Sequence, residues 1–249
     1  MSITRQLDDP APDTAPIPAS LQGRTVLVAG AGRHMGLAVA RAAANWGARV
    51  VMIGRDRART EAAAQLVRAT APAEVVVELC DVADGQAVEQ LLRRHSGFDH
   101  LAITISTAAS AGSIPTTPQE AARAPFDNRF WPTYLLLHTA PRHMSAEGSI
   151  TLTSGSSGRR FPAGFGVYGM LHAALNGLAM AAAIELAPLR VNAISPGGIG
   201  IGRTRQLIPH AGQARDFGAI AAALMVNPAI TGTIVDVDGG EFLGAITDD

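Results

Sequence analysis

The hydrophobic positions of this 249-residue chain follow two alternating patterns. Short apolar runs rich in β-branched residues predict buried strands, and longer stretches with apolar residues every three or four positions predict helices. The predicted strands span residues 25–28, 48–53, 74–79, 101–105, 149–153, 190–194 and 234–237. The predicted helices span residues 35–45, 57–71, 86–94, a long segment within 118–143 that begins near residue 126, and 167–187.

Strands that alternate with helices in this way predict an α/β fold. Right-handed crossovers then give one doubly wound, Rossmann-like domain with a mostly seven-stranded parallel sheet covered on both faces. We assign this domain to residues 21–249. Residues 1–20 are rich in Pro, Ala and Asp and predict a disordered, extended tail with no catalytic part.

A glycine-rich turn follows the first strand and opens the first helix. The first N–H groups of a helix have no partner within it and lie at the positive end of the helix dipole. Glycines let a pyrophosphate approach these groups closely. The turn therefore predicts a dinucleotide site. Its candidate residues are Gly30, Gly32, Arg33, His34, Met35 and Gly36.

The end of the second strand predicts which dinucleotide is bound. An acidic side chain there would accept the 2′-hydroxyl of NAD, whereas a basic one suits the 2′-phosphate of NADP. The first charged residue after this strand is Arg55, and Arg33 lies within the glycine turn. Two guanidinium groups favour NADP(H). Asp56, the acidic residue that follows Arg55, keeps NAD(H) possible as the cofactor.

Composition excludes several other classes of function. The net charge is −1 and there is no basic block, which argues against nucleic acid as a partner. Cys80 is the only cysteine, so no disulfide can form within the chain, and we expect a cytoplasmic protein. No apolar run predicts a membrane span. His95, His138 and His143 lack partners at metal-ligand spacing, so no metal site is predicted.

At this point the chain resembles the short-chain dehydrogenase/reductase family over about residues 21–243. Residues 29–36 match the family's TGxxxGxG turn, residues 80–82 its adenine-binding segment and residues 168–172 its YxxxK motif. Residues 190–197 match the strand before the nicotinamide, and residues 230–240 match the C-terminal end. The resemblance adds Asp81, Val82, Pro196, Gly197 and Ile199 to the candidate cofactor residues.

The resemblance also implies a catalytic set. In the family a Tyr gives or takes the substrate proton, and a Lys four residues later binds the nicotinamide ribose and lowers the pKa of that Tyr. A Ser polarises the carbonyl, and an Asn completes a proton relay. Here Tyr168 is retained, but His172 stands at the Lys position, Gly155 at the Ser position and Arg129 at the Asn position.

These departures leave alternatives open. His172 acts either as a ribose contact or proton relay, charged if it lies beside an anion, or as a residue satisfied by the backbone. Ser154 and Ser156 flank the serine position, and either hydroxyl could polarise the carbonyl. Arg129 either binds an anionic group of the substrate or pairs with Asp127.

Three functions follow from the sequence. The first is hydride transfer between NADP(H) and a carbonyl or alcohol of a small organic molecule. The second is a redox-neutral dehydration, isomerisation or cyclisation that uses the acid/base chemistry of Tyr168 and His172. The third is a non-catalytic nucleotide-binding or scaffold protein. By family analogy we expect a homodimer or homotetramer, assembled through the helices within residues 125–143 and 168–188.

Overall fold

The computed structural model describes residues 20–106, 112–160, 162–197, 207–210, 212–241 and 243, so the predicted tail lies almost wholly outside the described residues. The strands are β1 (Thr25–Ala29), β2 (Arg49–Gly54), β3 (Val75–Leu79), β4 (Phe98–Ile103), β5 (Met144–Thr153), β6 (Arg190–Pro196) and β7 (Ile234–Val237). The helices are α1 (His34–Asn45), α2 (Arg57–Arg68), α3 (Gly85–Arg94), α4 (Gln119–Pro125), α5 (Trp131–Thr139), α6 (Ser157–Arg160), α7 (Gly166–Glu185) and α8 (Ala214–Val226).

The strands form one parallel sheet of seven in the order β3-β2-β1-β4-β5-β6-β7. This confirms the predicted doubly wound α/β fold. The strand order reverses between β1 and β4, and ligands of such sheets bind outside the carboxyl ends of the strands at that point. The glycine turn between β1 and α1 lies there.

Helices cover both faces of the sheet. Val26 and Val28 of β1 pack on one face with apolar residues of α1, α2 and α8, whereas Leu27 and Ala29 pack on the other face with residues of α3, α5 and α7. Because successive side chains of a strand point to opposite faces, a strand buried on both sides is apolar throughout. This explains the continuous apolar runs of the sequence.

The long helix predicted within residues 118–143 is a helical run of several segments. Between α4 and α5 lies a π-helical segment, Phe126–Phe130, and a 3-10 turn, Ala140–His143, follows α5. Pro125 and Pro132 stand at the two junctions, and a proline has no N–H for the regular hydrogen-bond ladder. The π-helical segment contains Arg129 as its buried residue.

Helix α7 corrects one expectation from the sequence. Among the described residues it is the helix long and apolar enough to cross a membrane by length and composition, with a mean hydropathy of 1.4 in its most apolar window. The core helix of a soluble protein passes the same test. Leu171, Leu175 and Ala179 of α7 are buried within this fold.

Exposed apolar side chains lie on α5 and α7. They include Trp131 and Tyr134 of α5 and Met180 and Ile184 of α7. These are the two helices for which the sequence predicts contacts between subunits. Homo-oligomerisation therefore stays a prediction, and the exposed apolar side chains of α5 and α7 are the surface through which it would occur.

Candidate active site

A cleft of about 700 Å³ opens at the carboxyl ends of β1 to β4. Four segments line it: the glycine turn, the β2–α2 junction, the turn after β3, and the turn after β4 together with Asn128 and Pro132. Its lining includes Gly30, Gly32, Arg33, His34, Met35, Gly36, Arg55, Asp81 and Val82. The structure thus brings together the residues that the sequence assigns to the pyrophosphate, the ribose and the adenine.

Two glycines of the turn are required by close backbone packing. Gly30 has φ of +86°, and a Cβ at this position would lie 2.8 Å from the Thr104 carbonyl oxygen. A Cβ at Gly36 would overlap the Gly30 carbonyl oxygen and lie 2.6 Å from Thr104 Oγ1. The start of α1 therefore lies directly against β1 and the end of β4, which leaves the first N–H groups of α1 facing the cleft.

His34 departs from the glycine pattern of the turn. Its φ is +46°, in the left-handed region that costs a residue with a Cβ about 1 kcal/mol or more. His34 is exposed and lines the cleft. The backbone of the turn therefore keeps a conformation suited to glycine, and the histidine adds an imidazole to the lining.

Three arginines surround the end of β2. Arg33 and Arg55 line the cleft as the sequence predicts, and Arg59 of α2 joins them. Asp56 is the N-cap of α2: its Oδ1 accepts a hydrogen bond from the Arg59 backbone N–H at 3.0 Å, and its Oδ2 lies 3.5 Å from Arg59 Nη2. The Asp56 carboxylate, which kept NAD(H) as an alternative cofactor, is thus bonded to the first turn of the helix that it caps.

The last residue of β2 has no room for a side chain. A Cβ on Gly54 would overlap Oγ1 of Thr60, which is fully buried and donates a hydrogen bond to the Asp56 carbonyl oxygen at 2.7 Å. An acidic side chain at the strand end would therefore require Thr60 to move. This position is where an NAD-binding carboxylate would stand.

The remaining cofactor candidates are distributed along the sheet edge. Asp81 stabilises the turn after β3, because its Oδ1 accepts from Ala83 N–H at 3.1 Å. Pro196 and Gly197 follow one another at the end of β6, and the Pro196 carbonyl accepts from Ser156 N–H at 3.0 Å. They adjoin the serine turn after β5 and are not among the described lining residues of the cleft. Ile199 lies outside the described residues.

Tyr168 and His172 lie one turn apart on α7. Their ring centroids are 5.4 Å apart with an interplanar angle of 69°, an edge contact. Tyr168 is partly buried, and burial raises the pKa of its phenol while the charge of Arg129 opposes that rise. His172 is buried. The two predicted catalytic residues of α7 are therefore in contact.

Both ring nitrogens of His172 bind protein groups. Nε2 lies 3.1 Å from Arg129 Nη1, and Nδ1 lies 2.7 Å from Ser157 Oγ. A guanidinium can only donate, so Nε2 accepts, and the ring proton sits on Nδ1 and is donated to Ser157. Burial and the charge of Arg129 lower the pKa of His172 to about 3.

The neutral state of His172 rules out the alternative in which this residue is charged, and it also excludes His172 as a base that activates a serine nucleophile. The imidazole does not carry a positive charge, because its burial and the adjacent guanidinium of Arg129 both disfavour the protonated form. It also cannot remove a proton from Ser157, since Nδ1 already carries one; this excludes a serine nucleophile activated by this histidine. A ribose contact by His172 stays a prediction that requires one of its two hydrogen bonds to open.

Gly155 makes space for the imidazole. A Cβ on Gly155 would lie 2.5 Å from Nδ1 and 2.9 Å from Nε2 of His172. The ring therefore occupies the volume that a side chain at position 155 would fill. The absence of a side chain at position 155 and the presence of the imidazole at position 172 are two parts of one packing arrangement.

The flanking serines have different environments. Ser154 is buried, and its hydroxyl donates to Asn176 Oδ1 at 2.5 Å, so it is turned towards α7. Ser156 is partly exposed. The structure therefore favours Ser156 over Ser154 as the hydroxyl available to a substrate, and its role stays a prediction.

Arg129 is buried, and the groups that accept its hydrogen bonds are neutral. Besides His172, its Nη2 donates to the Thr153 carbonyl at 2.7 Å and to the Ser154 carbonyl at 3.0 Å. No ion pair joins it to Asp127 within the described residues, and Asp127 is exposed. The alternative in which Arg129 pairs with Asp127 is therefore wrong.

The buried histidines predict how stability depends on pH. His172 and His100 have folded-state pKa values of about 3 and about 4, below the ordinary 6.5. The unfolded chain therefore binds more protons between these values, and stability present above about pH 6.5 is lost as the pH falls towards 3. We expect His172→Gln to lose about 2.5 kcal/mol less unfolding free energy than the wild type between about pH 7 and pH 4.5, because each pH unit below about 6.5 costs the wild type about 1.4 kcal/mol.

Urea unfolding at the two pH values measures this difference. His138→Gln, at an exposed position of α5, is the control and keeps the wild-type dependence on pH. Equal losses in wild type and His172→Gln would show that His172 accepts a proton in the folded protein.

Comparison with known proteins identifies the family. A family model described as enoyl-(acyl carrier protein) reductase matches residues 30–241, which is most of the chain. The chain belongs to the short-chain dehydrogenase/reductase family. A short-chain dehydrogenase/reductase from Stachybotrys chlorohalonatus is 28% identical over 254 aligned residues, covering 90% of this chain and 99% of that protein. By its family the chain is an enzyme of the oxidoreductase class.

Solved short-chain dehydrogenase/reductase structures agree with this fold. One from Mycobacterium ulcerans superimposes with a TM-score of 0.85 at 26% identity, covering 90% of this chain and 92% of that one. Another, from Burkholderia cenocepacia in complex with NADP, gives a TM-score of 0.80 at 28% identity, covering 89% and 98%.

Two residues of this short-chain dehydrogenase/reductase site, Ser157 and Arg59, were not predicted from the sequence. Ser157 was one of several serines in a turn, and only the fold shows that it binds His172. Arg59 lies in the first turn of α2, and the signal that could have found it is the capping residue Asp56, which fixes where α2 begins.

Proposed function

We propose that this enzyme transfers a hydride between NADP(H) and a carbonyl or alcohol group of a small organic molecule. The observation that carries the proposal is the cleft, in which three arginines adjoin a glycine turn at the start of a helix. The NADP complex of the Burkholderia cenocepacia relative supports the same class of cofactor.

The residues of the cleft fit a nicotinamide dinucleotide phosphate. The Gly30 and Gly36 contacts place the start of α1 where a pyrophosphate can accept its free N–H groups. Arg33, Arg55 and Arg59 supply cationic donors suited to a phosphate. The side-chain-free end of β2 at Gly54 lacks the carboxylate that NAD would use.

Tyr168 is the acid/base group of the proposed reaction. When bound, the nicotinamide supplies or accepts the hydride. In reduction the carbonyl carbon gains the hydride and its oxygen gains the phenolic proton of Tyr168, and oxidation reverses both transfers. The phenolate then recovers a proton from water.

Cofactor preference is tested with the arginines. We expect Arg55→Ala and Arg59→Ala each to weaken NADPH binding about tenfold, because a hydrogen bond to a charged group contributes about 1.5 kcal/mol or more. NADH binding should change less than about threefold in the same variants. Calorimetric titration of both cofactors measures these affinities.

Arg57→Ala is the matched control, since Arg57 is an exposed arginine of α2 that the described cleft lining does not include. It should bind both cofactors as the wild type does. Equal weakening of NADPH and NADH would contradict a 2′-phosphate site. Binding of neither cofactor by the wild type would contradict the proposed function.

A redox-neutral reaction is the second candidate. It is favoured by one observation: both ring nitrogens of His172 are engaged, so position 172 offers no free group to a nicotinamide ribose. Conversion of a substrate without change in nicotinamide absorbance would support it. A scaffold protein with no turnover predicts instead that Tyr168→Phe leaves biological function intact.

A further inference from the structure

Among the described residues, the site contains a buried positive charge, Arg129, that forms no ion pair with a carboxylate. Arg129 is 6% exposed, and its hydrogen bonds go to two backbone carbonyls and to His172. Within the described residues no ion pair neutralises it. A buried guanidinium interacts strongly with any group nearby that can become an anion, because the surrounding dielectric constant is low.

Tyr168 is such a group, and its ring contacts the imidazole to which Arg129 donates. Arg129 donates to Nε2 of His172, and the phenol ring of Tyr168 packs on that imidazole with centroids 5.4 Å apart and an interplanar angle of 69°. The imidazole is neutral, since its proton sits on Nδ1 and is donated to Ser157. The positive charge of this cluster therefore resides on Arg129 alone.

We propose that Arg129 is the charge that promotes ionisation of Tyr168, acting from the π-helical segment rather than from α7. For its catalytic meaning this inference rests on the proposed function. Arg129 is then a positioning residue: it contacts His172, and it stabilises the Tyr168 phenolate that remains after the proton has moved to the substrate oxygen. The direction of its effect on Tyr168, which opposes the rise in pKa caused by burial, agrees with this role.

Other charges near the start of α7 have separate environments. On α6, Arg159 forms an ion pair with Asp236, and Arg160 is the next residue in the sequence. On the preceding helical run, the charged residues are exposed to water, which screens their effect. These are Glu120, Arg123 and Asp127. Among the described charged groups, Arg129 is the one whose charge acts on Tyr168.

The ionisation of Tyr168 can be measured directly because the chain has only two tyrosines. Protein labelled with 3-fluorotyrosine gives one ¹⁹F resonance for Tyr168 and one for Tyr134, and Tyr134→Phe assigns them. The fluorinated phenol ionises at lower pH than tyrosine, so the titration needs less alkaline conditions. Exposed Tyr134 on α5 is the internal reference.

We expect Arg129→Gln to raise the pKa of Tyr168 by about one unit or more relative to wild type, because an opposite charge nearby lowers the pKa of an acid by 1–3 units. Arg129→Lys keeps the charge and should shift it by less than about half a unit. A structural effect alone would move both variants equally. Should Arg129→Gln not fold, Arg129→Met/His172→Leu removes the charge together with its hydrogen-bond partner.

An unchanged Tyr168 pKa in a folded variant without the charge overturns the proposal, as do equal shifts in the Gln and Lys variants. The titration needs neither cofactor nor turnover. The two proposals can therefore fail separately. A shift of the Tyr168 pKa without NADPH binding would support the effect of Arg129 on Tyr168 and refute the proposed reductase. NADPH binding without such a shift would support the reductase and refute the effect of Arg129.

Discussion

Gly155→Ser is expected to destabilise the protein by about 3 kcal/mol, although serine is the residue that the family pattern has at this position. The added Cβ would lie 2.5 Å from Nδ1 of His172. The imidazole cannot move away without losing its hydrogen bonds to Arg129 and Ser157. The cost therefore combines overpacking with at least one broken buried hydrogen bond.

A double-mutant cycle tests this explanation. Removing the ring in His172→Ala opens the volume that the serine needs, so the double variant should be more stable than the sum of the two single changes predicts, by about 2 kcal/mol. Gly177→Ser on α7 is the control, because a Cβ there has no neighbour within 4 Å. Urea unfolding measures all four proteins. Additive effects would mean that residues 155 and 172 do not share one space.

Tyr168→Phe is expected to lower kcat by a factor of about 10² to 10⁴, the contribution usual for a positioned general acid. The ring and its edge contact with His172 remain, since only the hydroxyl is removed. NADPH affinity should stay within about threefold of wild type, because Tyr168 is not among the described residues lining the cleft. Turnover is followed by nicotinamide absorbance, and affinity by calorimetry.

Two outcomes would contradict the assigned role of Tyr168. Turnover within about threefold of wild type would place the acid elsewhere. A loss of turnover explained wholly by weaker NADPH binding would make Tyr168 a cofactor contact instead. Tyr134→Phe, which removes the other phenol of the chain, is the control and should change neither quantity.

The sheet was predictable because its strands are buried on both faces. Runs such as 26–28 and 50–53 are apolar at every position, and the glycine turn fixes where the first helix begins. The helical run from α4 to α5 was predicted only in part, because Pro125 and Pro132 interrupt a pattern that otherwise continues. Helix α8 was missed, although Phe217, Ala221 and Leu224 lie on one apolar face that packs against α1.

The cofactor half of the site was more predictable than the catalytic half, for a physical reason. Glycine turns and strand ends act through local backbone geometry, so nearby sequence carries the signal. The contacts of His172 join positions 129, 155, 157 and 172 across three elements. Spacing along the chain cannot show that a ring fills the space of an absent side chain, nor that burial and a neighbouring cation keep this ring neutral.

The proposed activity of this site is hydride transfer from NADPH. The most direct measurement is deuterium transfer: the wild-type enzyme is incubated with NADPH deuterated at the transferable position and a panel of small ketones and aldehydes, and the products are analysed by mass spectrometry. The account predicts an alcohol carrying one deuterium on its carbinol carbon, formed by wild type and not by Tyr168→Phe. A product that lacks deuterium, or formation of product in the absence of NADPH, would contradict it.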